Sequence, residues 1–510
     1  SSATGKTTYY QDSDSDGYGS TTSQTVCDAS AGYITTSGDC NDANAAISPG
    51  DAEVCADSID NNCSGTADEG CSSNSWTGAH STSEYDTKIY GNESGDYFGF
   101  SVAAADFNND GLADLAVGAP NDEYSSTYSS YGVTYVYNGA LTAGVEVSTA
   151  SDDAFLYSTS STYTDFGGML WALPDMNGDG VEELAVGGSD DGYNWDVFMY
   201  RGSTLTGAVT TSGSYYSSLN CTDMSGAGNF YTTSTRYLAC GYVSSSTAAG
   251  VARVYGDASG TALVTLNGEA ASDLAGESVD FEHDFDGDGT NDALVGAYGN
   301  DTAASAAGAA YVVYGPVTGT FNLSGADTKI TGVGSASYLG AQVAGGDMDG
   351  DGADDVFVGA PSYDYGSRTN SGAIYVFHTL PSGTVSASSC NWGIYGDSAS
   401  DQLGNHPITF GDVDDDGNTD VLVSSAADDG AATDAGAAWL IYGPNTAGWD
   451  LSLDYDARWR GEGASYYVGY DARIVGDTNG DGFDDIVLAG YYADERGYTE
   501  HGAIWMFLGG

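Results

Sequence analysis

The sequence contains few positive charges. Its 510 residues include 11 lysines and arginines against 73 aspartates and glutamates, which gives a net charge of −62 at pH 7. Such a surface repels nucleic acid and anionic membranes, because both bind through cationic side chains. We interpret most of the acidity as a solubilising surface in a saline medium, with an electrostatic partner as the alternative.

Long apolar runs and catalytic motifs are also lacking. No apolar run approaches the roughly 18 residues that a membrane-spanning helix needs, so the sequence predicts no membrane insertion. None of the five histidines lies in an HExxH motif or near a GxSxG motif. His283, which directly precedes an acidic loop, is interpreted as a structural neighbour of that loop. The sequence therefore predicts a protein that is not an enzyme.

One acidic motif stands out against this background, in the stretch DMDGDGADDVFVGAP at residues 347–361. Its carboxylates occupy positions 1, 3, 5 and 9 of a tight turn, namely Asp347, Asp349, Asp351 and Asp355. Oxygen ligands at this spacing suit calcium, with Gly352 at position 6 allowing the bend and Ala353 at position 7 offering its carbonyl. An EF-hand would need a Glu at position 12, where Val358 stands in a strand-like run. The stretch therefore predicts a calcium loop that leads into a buried strand.

The same loop occurs six times along the chain. The predicted ligands at positions 1, 3, 5, 7 and 9 of the other five copies are Asp106, Asn108, Asp110, Leu112 and Asp114; Asp175, Asn177, Asp179, Val181 and Glu183; Asp284, Asp286, Asp288, Thr290 and Asp292; Asp412, Asp414, Asp416, Asn418 and Asp420; and Asp477, Asn479, Asp481, Phe483 and Asp485. A degenerate copy without the later carboxylates follows Asp223. The chain thus contains seven similar units, and internal repeats of this kind decide the fold.

Each unit has the same order of segments, which predicts four strands. The acidic loop follows the first strand, and a polar hairpin separates the second strand from the third. Seven four-stranded sheets arranged radially form an all-β, seven-bladed β-propeller. The last unit ends after its third strand, while EYDTKIYG at 84–91 precedes the first loop just as ADTKITG at 326–332 precedes a later one. We predict that this N-terminal strand completes the seventh blade.

The stretch FGFSVAAADFNNDGLADLAVGAP at 98–120 resembles the FG-GAP repeats of integrin α-subunit propellers. The resemblance covers residues 84–510 and implies calcium between the first and second strands of each blade that has an acidic loop. The chain departs from the pattern at Glu183 and in its third unit, and it lacks the inserted adhesion domain of some integrins. The integrin ligand mechanism is therefore not carried over.

The first 71 residues lack this repeat and predict a small module stapled by disulfides and calcium. Two further acidic loops are predicted here, with ligands Asp12, Asp14, Asp16 and Tyr18 in one, and Asp60, Asn62, Ser64, Thr66 and Asp68 in the other. The Asp- and Cys-rich stretch at 39–71 is similar to metal-binding modules of bacterial surface and secreted proteins. We therefore predict a module at 1–71, a linker at 72–83 and the propeller at 84–510.

The eight cysteines indicate an oxidising compartment, because no CxxC pair suggests zinc. Cys221 and Cys240 flank the degenerate loop, and we predict a disulfide there in place of the missing metal. Cys390 could pair with a module cysteine such as Cys71, remain a free thiol or bridge two molecules. Because the chain does not begin with Met, we expect that a leader has been removed and that the protein is extracellular.

Ligand binding is predicted on the face opposite the acidic loops. Strand directions alternate, so the hairpins after the second strand of each unit lie at that face, and they are rich in Tyr, Ser and Gly. The candidate ligand-binding residues are Tyr124, Tyr128, Tyr131, Tyr193, Trp195, Tyr363, Tyr365, Tyr491, Tyr492 and Tyr498. The alternative is that these tyrosines only cover sheet edges.

Together these features predict a secreted or cell-surface calcium-binding propeller that acts in adhesion or extracellular matrix interaction. Its partner would be an extracellular protein or glycan, or further copies of itself. Two alternatives stay open, namely a structural subunit of an extracellular filament or sheath, and an enzyme that acts on extracellular polysaccharide or lipid.

Overall fold

The structure is a computed structural model, and its two compact units are described separately. It describes residues 6–14, 17–26, 29–44, 47–49, 63, 76–123, 131–139, 145–148, 152–159, 164–189, 195–214, 216–232, 237–243, 248–256, 260–494 and 498–510. One unit comprises Ser1–Ser75 with Asp414–Asp416 and Gly510, and the other comprises Trp76–Val413 and Gly417–Gly509.

The N-terminal unit contains a small antiparallel sheet. Thr7–Gln11 lies in the centre and pairs with Ser23–Val26 on one side and Tyr33–Ile34 on the other. A disulfide joins Cys40 to Cys63. A covalent bridge of this kind stabilises a unit that is too small to bury a large apolar core.

The second unit contains seven sheets in its described part, and we number them in chain order. Within each sheet, strands 1 to 4 follow one another and pair antiparallel. The strands are Ser101–Ala105, Asp114–Ala119, Val133–Tyr137, Ala154–Tyr157 and Gly207–Thr210 in sheet 1; Thr164–Leu173, Glu183–Ser189, Trp195–Arg201 and Tyr216–Cys221 in sheet 2; Asp223–Gly226, Leu238–Tyr242, Val251–Tyr255, Ala262–Asn267 and Gly319–Asn322 in sheet 3; and Val279–Asp280, Ala293–Ala297, Ala309–Val313, Thr328–Thr331 and Gly383–Ser386 in sheet 4.

The remaining three sheets follow the same plan. Their strands are Val343–Gly346, Asp355–Ala360, Ala373–Phe377, Trp392–Tyr395 and Trp449–Asp450 in sheet 5; Thr409–Gly411, Asp420–Ser425, Ala437–Ile441, Ala457–Arg460 and Gly78–Ser81 in sheet 6; and Asp471–Ile474, Ile486–Gly490, Ala503–Phe507, Thr87–Tyr90 and Val145–Ser148 in sheet 7. Strands 2 and 3 of sheet 5 are buried along their whole length, because both of their faces pack against other sheets. This accounts for continuous apolar runs such as VFV, where a half-exposed strand would alternate.

A fifth strand is the main difference from the predicted four strands per unit. In six sheets it pairs in parallel with strand 4, as Gly383–Ser386 does with Thr328–Thr331 in sheet 4. It comes from the segment that precedes strand 4 of another sheet, as Gly383–Ser386 lies between strands 3 and 4 of sheet 5. Each such strand therefore connects one sheet to the following sheet, and sheet 7 to sheet 1. Its pairing is non-local, so the periodicity within a unit does not reveal it.

The segment before sheet 1 contributes strands to the last two sheets. Thr87–Tyr90 pairs antiparallel with Ala503–Phe507, as expected from the sequence, and becomes strand 4 of sheet 7. Gly78–Ser81, which lies within the predicted linker, pairs in parallel with Ala457–Arg460 of sheet 6. This segment therefore connects the beginning of the second unit to its end.

Among the described residues, seven buried apolar clusters lie between consecutive sheets. Phe357, Ile374 and Trp439, for example, belong to one cluster that joins sheets 5 and 6. Another cluster joins sheet 7 to sheet 1 and contains Ile504 together with Val117. The apolar contacts therefore run from each sheet to the next and from the last sheet back to the first.

Helical structure among the described residues is limited to short 3-10 turns. These turns are Thr82–Glu84, Gly202–Thr204, Thr211–Gly213, Leu323–Gly325 and Ala387–Ser389. Four of them directly follow a fifth strand, which marks a recurrent connection from strand 5 to the next strand 4. Within the described residues, no helix has the length and apolar character needed to cross a membrane.

Candidate metal centres and the opposite face

The six acidic loops connect strand 1 to strand 2 in every sheet except sheet 3. In each loop the aspartate at position 1 accepts a hydrogen bond from the backbone N–H of the glycine at position 6. These bonds measure 2.7–3.0 Å, and their donors are Gly111, Gly180, Gly289, Gly352, Gly417 and Gly482. All six glycines have positive φ angles, of 92° at Gly111 and 81° at Gly417 for example. A residue with a side chain would be strained there, which explains the glycine at position 6.

The loop of sheet 5 shows how the backbone shapes the carboxylates. Asp347 Oδ1 accepts hydrogen bonds from Gly350 N at 2.9 Å and Asp351 N at 3.2 Å. Asp349 Oδ1 accepts from Asp351 N, and Asp351 Oδ1 accepts from Ala353 N, at 3.1 and 3.0 Å. The side chains at positions 1, 3 and 5 therefore all accept hydrogen bonds from backbone N–H groups later in the same turn. The turn brings ligand oxygens of Asp347, Asp349 and Asp351 within 4.8 Å of one another.

The residue at position 9 is buried and ties the loop to the segment that follows strand 3. Asp292 Oδ2 accepts a hydrogen bond from Phe285 N at 2.8 Å, and its Oδ1 accepts from Gly315 N at 2.9 Å. Asp420 and Asp485 make the same pair of bonds in sheets 6 and 7. These carboxylates therefore have a structural role beside the predicted ligand role. Glu183 in sheet 2 likewise accepts from the backbone N–H of Met176, so its longer side chain fills the same place.

In sheet 5, a histidine side chain lies against the carboxylate at position 9. Asp355 Oδ1 lies 2.9 Å from Nδ1 of His378, and Asp349 Oδ2 lies 3.2 Å from the same nitrogen. The indole N–H of Trp392 donates to His378 Nε2 at 2.6 Å. Nδ1 of His378 therefore lies within ion-pair distance of the carboxylates at positions 3 and 9 of this loop.

The loops concentrate negative charge in partly buried surroundings. Burial raises the pKa of Asp292 to about 7, and the carboxylates of Asp286 and Asp284 add to the shift. Oxygen atoms of these three residues lie within 4.8 Å of one another, as do those of Asp175, Asp179 and Glu183. A set of ligands made only of oxygen atoms fits a hard divalent cation, which would offset this repulsion.

The predicted disulfide of the degenerate unit is present, but it joins sheets 2 and 3 away from the connection between strands 1 and 2 where the other sheets have an acidic loop. Cys221 ends strand 4 of sheet 2, Cys240 lies in strand 2 of sheet 3, and the two are bonded. Cys390 is a free cysteine and is partly buried, and burial raises the pKa of its thiol. The bridge considered between Cys390 and Cys71 is therefore not formed, and Cys71 itself lies outside the described residues.

The N-terminal unit contains an acidic cluster of its own. Asp12, Asp14 and Asp42 bring carboxylate oxygens within 4.8 Å of one another. Asp42, which the sequence reasoning missed, accepts hydrogen bonds from the N–H and the hydroxyl of Ser13 at 2.6 and 2.9 Å. Tyr18 is described as partly buried, whereas Asp16 lies outside the described residues. The whole second predicted loop, Asp60, Asn62, Ser64, Thr66 and Asp68, also lies outside them.

The ends of the sheets opposite the acidic loops surround a cavity of about 620 Å³. Trp195 lines it, as the only one of the predicted ligand-binding residues described there. Tyr298, Tyr338 and Tyr470 also line it, although the sequence reasoning did not select them. They follow strand 2 or precede strand 1 of their sheets, where a single aromatic residue gives little signal in the sequence.

The other predicted ligand-binding residues that the structure describes lie outside the cavity lining. Tyr491 and Tyr492 contact each other with ring centroids 4.5 Å apart, and Tyr492 stacks on Tyr97. Tyr365 stacks on Tyr395 at 4.0 Å, and Tyr363 also contacts Tyr395. The remaining positions are Tyr131, which is partly buried; Tyr498, which is 45% exposed; and Tyr124, Tyr128 and Tyr193, which lie outside the described residues.

Comparison with known families addresses the repeated loop directly. Residues 98–137 and 339–377, which include the acidic loops of sheets 1 and 5, match the family model described as FG-GAP repeat. The chain contains FG-GAP repeats. Residues 39–69, which include Asp42, match a model described as "Putative metal-binding motif".

Several integrin alpha chains are similar to part of this FG-GAP region. Integrin alpha-7 of Mus musculus is 38% identical over 115 residues, and integrin alpha-PS5 of Drosophila melanogaster is 35% identical over 115 residues. Integrin alpha-4 of Xenopus laevis is 36% identical over 114 residues. Each match covers 22% of this chain and 9–11% of the relative, so the similarity concerns about a tenth of each integrin.

In three pairs of neighbouring acidic loops, the residue at position 8 of one loop bonds to the other loop, which the sequence reasoning also missed. Glu182 Oε2 accepts a hydrogen bond from Asp106 N at 3.1 Å, and Asp484 Oδ2 accepts from Asp412 N at 2.9 Å. In these pairs, the side-chain carboxylate at position 8 of one loop accepts a hydrogen bond from the backbone N–H at position 1 of the preceding loop. The sequence has an acidic residue at position 8 of these loops, but the predicted ligands are at odd-numbered positions only.

His283 lies beside the corresponding connection between the loops of sheets 4 and 5. Its Nε2 lies 3.4 Å from Asp280 Oδ2 and its Nδ1 lies 3.3 Å from Asp354 Oδ2. Burial lowers the pKa of His283, but the two carboxylates outweigh this and raise it to about 9. The imidazolium therefore forms ion pairs with residues of sheets 4 and 5, in keeping with the structural role expected for it.

Proposed function

We propose that this chain is a secreted or cell-surface, calcium-binding β-propeller that acts without catalysis in adhesion or extracellular matrix interaction. Its seven sheets would be the blades of a closed ring, and residues 1–71 would form a separate metal-binding module. Support for the ring comes from the apolar contacts that run from sheet 7 to sheet 1 and from Thr87–Tyr90, which pairs with Ala503–Phe507. A ring of this kind leaves no long sheet edge exposed.

The observation that carries the calcium proposal is the identical hydrogen bonding of six acidic loops. In each, the position 1 carboxylate is held by the position 6 N–H. In sheets 2, 4 and 5, carboxylate oxygens of the loop also lie within 4.8 Å of one another. Calcium accepts six to eight oxygen ligands in flexible geometry, which suits carboxylates, amide oxygens and a position 7 carbonyl. The ion would neutralise these carboxylates and stabilise the connection between strands 1 and 2.

The adhesion proposal rests on the similarity to integrin alpha chains and on the difference between the two ends of the sheets. The acidic loops occupy one end and are engaged in structural hydrogen bonds. The opposite end offers a cavity with aromatic and amide side chains, of the size that small ligands fill. An extracellular protein or glycan would bind at that end, and the disulfides are consistent with an extracellular location.

The proposal is tested by measuring calcium stoichiometry and adhesion in the same preparation. Equilibrium titration of the chelated protein should show about six sites in the FG-GAP region. Protein immobilised on a surface should retain cells or matrix glycans in millimolar calcium and release them after chelation. Absence of calcium binding, or adhesion that chelator leaves unchanged, would reject the proposal. Light scattering and electron microscopy on the same samples would detect filaments, the outcome expected of the structural-subunit alternative.

A further inference from the structure

The cavity at the end of the sheets opposite the acidic loops has a lining that combines aromatic rings with uncharged polar groups. Trp195 and Tyr470 come from sheets 2 and 7, and Tyr298 and Tyr338 form an edge-to-face pair with ring centroids 6.0 Å apart. Gln402 and Asn405 add amide groups that can both donate and accept hydrogen bonds. All of its lining residues are described, and none is a lysine, arginine or histidine.

Two glycines leave the space that the side chain of Trp195 occupies. A Cβ atom added at Gly168 would lie 2.5 Å from Trp195 Cη2, and one added at Gly187 would lie 2.9 Å from Trp195 Cβ. Neither position could carry a side chain without displacing the tryptophan. Two glycines in adjacent strands therefore fix this aromatic residue at the wall of the cavity.

The two carboxyl groups of the lining differ in how they are engaged. Asp223 accepts hydrogen bonds from Val279 N at 2.9 Å, Met224 N at 2.8 Å and the indole N–H of Trp171 at 3.2 Å, so both of its oxygens are occupied. Glu277 is the second, and burial together with the nearby Asp223 raises its pKa to about 7. A carboxyl group that is partly protonated at neutral pH can donate as well as accept, and it attracts cations only weakly.

We propose that this cavity binds a neutral sugar residue of an extracellular glycan. A pyranose ring presents apolar C–H faces that pack on aromatic rings, and its hydroxyl groups need neighbouring donors and acceptors, which the amides and Glu277 supply. The absence of cationic residues from the lining disfavours uronic, sulfated and sialylated sugars, because their anionic groups would remain unpaired. This inference rests on the proposed function, since it names the ligand class of the same face.

The test is saturation-transfer NMR and calorimetry on the full chain in calcium. The probes are glucose, galactose, mannose and N-acetylglucosamine, with glucuronic acid as an anionic comparator and arginine as a cationic one. At least one neutral sugar should bind saturably, and neither charged comparator should bind more tightly. Trp195→Ala and Glu277→Ala should each weaken that binding at least ~tenfold, which corresponds to about 1.4 kcal/mol. Leu453→Ala is the control, because it removes an exposed side chain that does not line the cavity, and it should bind as the parent does.

The possible results separate this inference from the proposed function. Saturation by none of the neutral sugars, tighter binding of arginine or glucuronic acid, or unchanged affinity in folded Trp195→Ala and Glu277→Ala would each overturn the inference. Thermal unfolding of each variant establishes whether it is folded, and the partly exposed Glu277 provides the second variant should Trp195→Ala fail to fold. Calcium-dependent adhesion that both folded variants retain would overturn the sugar site alone. Sugar binding that persists while adhesion proves independent of calcium would leave the inference standing and reject the proposed function.

Discussion

The carboxylate of Asp354 accepts a hydrogen bond from the backbone N–H of Asp284, at 3.0 Å and across 70 positions of the sequence. Asp284 begins the acidic loop of sheet 4, and Asp354 is at position 8 of the loop of sheet 5. The next residue, Asp355, is a proposed metal ligand. The hydrogen bond that connects sheets 4 and 5 therefore lies next to a proposed calcium site. Calcium binding at that site should stabilise the contact between the two sheets, and the contact should favour calcium binding.

We expect Asp354→Ala to lower the free energy of unfolding by about 1–3 kcal/mol, because it leaves the N–H of Asp284 and the cation of His283 without this carboxylate. Thermal unfolding in millimolar calcium measures the loss. Asp454→Ala removes an exposed carboxylate and serves as the control, with a change within about 0.5 kcal/mol. Equal midpoints for the two variants would show that position 8 contributes nothing to the contact between the two sheets.

The disulfide between Cys221 and Cys240 closes a loop with a sequence separation of 19. A bridge over a loop of this size should contribute about 3 kcal/mol to the free energy of unfolding. Replacing both cysteines by alanine should lower the thermal midpoint to that of the reduced parent protein. A reducing agent should then have a much smaller effect on the variant than on the parent. A reductant effect of equal size in both proteins would assign it to another bridge, such as Cys40–Cys63.

The proposed calcium sites predict a loss of stability that depends on the metal. Asp351→Ala removes the position 5 ligand of the sheet 5 loop. A site saturated at 100 times its dissociation constant contributes about 2.7 kcal/mol, so a loss of that order is expected in calcium and little in chelator. Thermal unfolding in both conditions provides the comparison, with Asp454→Ala as the control. A loss of the same size in chelator would mean that Asp351 acts only through its hydrogen bond to Ala353 N.

The position of the acidic loops between strands could be predicted from the sequence, because spacing and strand burial are local properties. Asp347 and Gly352 lie five residues apart, and their hydrogen bond follows from the turn itself. The run after Asp355 is apolar because both faces of that strand are covered. The pairing of Thr87–Tyr90 with the last unit was also visible, since its sequence is similar to that of a later strand 4.

Features that depend on contacts between units were missed. The fifth strand Gly383–Ser386 is four residues long and partly exposed, so its sequence resembles a loop until the parallel partner in sheet 4 is known. The cavity lining is drawn from six different sheets, which leaves no periodic signal for Tyr298 or Glu277. The predicted Tyr491 and Tyr492 were selected for composition alone, and in the structure they pack mainly on other tyrosines.

A buried carboxyl group in the connection before sheet 1 predicts a dependence of stability on pH. Asp96 is only 4% exposed and accepts a hydrogen bond from Glu93 N at 2.8 Å. Burial, followed by repulsion from Asp122, raises its pKa from 3.8 to about 7. The folded protein therefore keeps this proton up to about pH 7, whereas the unfolded chain releases it near pH 4. The contribution of Asp96 to stability is thus fully present below pH 4 and is lost as the pH rises to 7.

Asp96→Asn should remove this loss, because asparagine cannot ionise and keeps an oxygen that accepts from Glu93 N. We expect the variant to be more stable than the parent by about 1–2 kcal/mol at pH 8, which is less than the full shift because the site can relax. Thermal midpoints at constant calcium measure the gap, which should widen between pH 5 and pH 7 and remain constant above pH 7. Asp454→Asn, at an exposed site, should show no such widening. A gap of the same size at every pH would mean that Asp96 already carries its charge in the folded protein at pH 5, and that the substitution acts through packing.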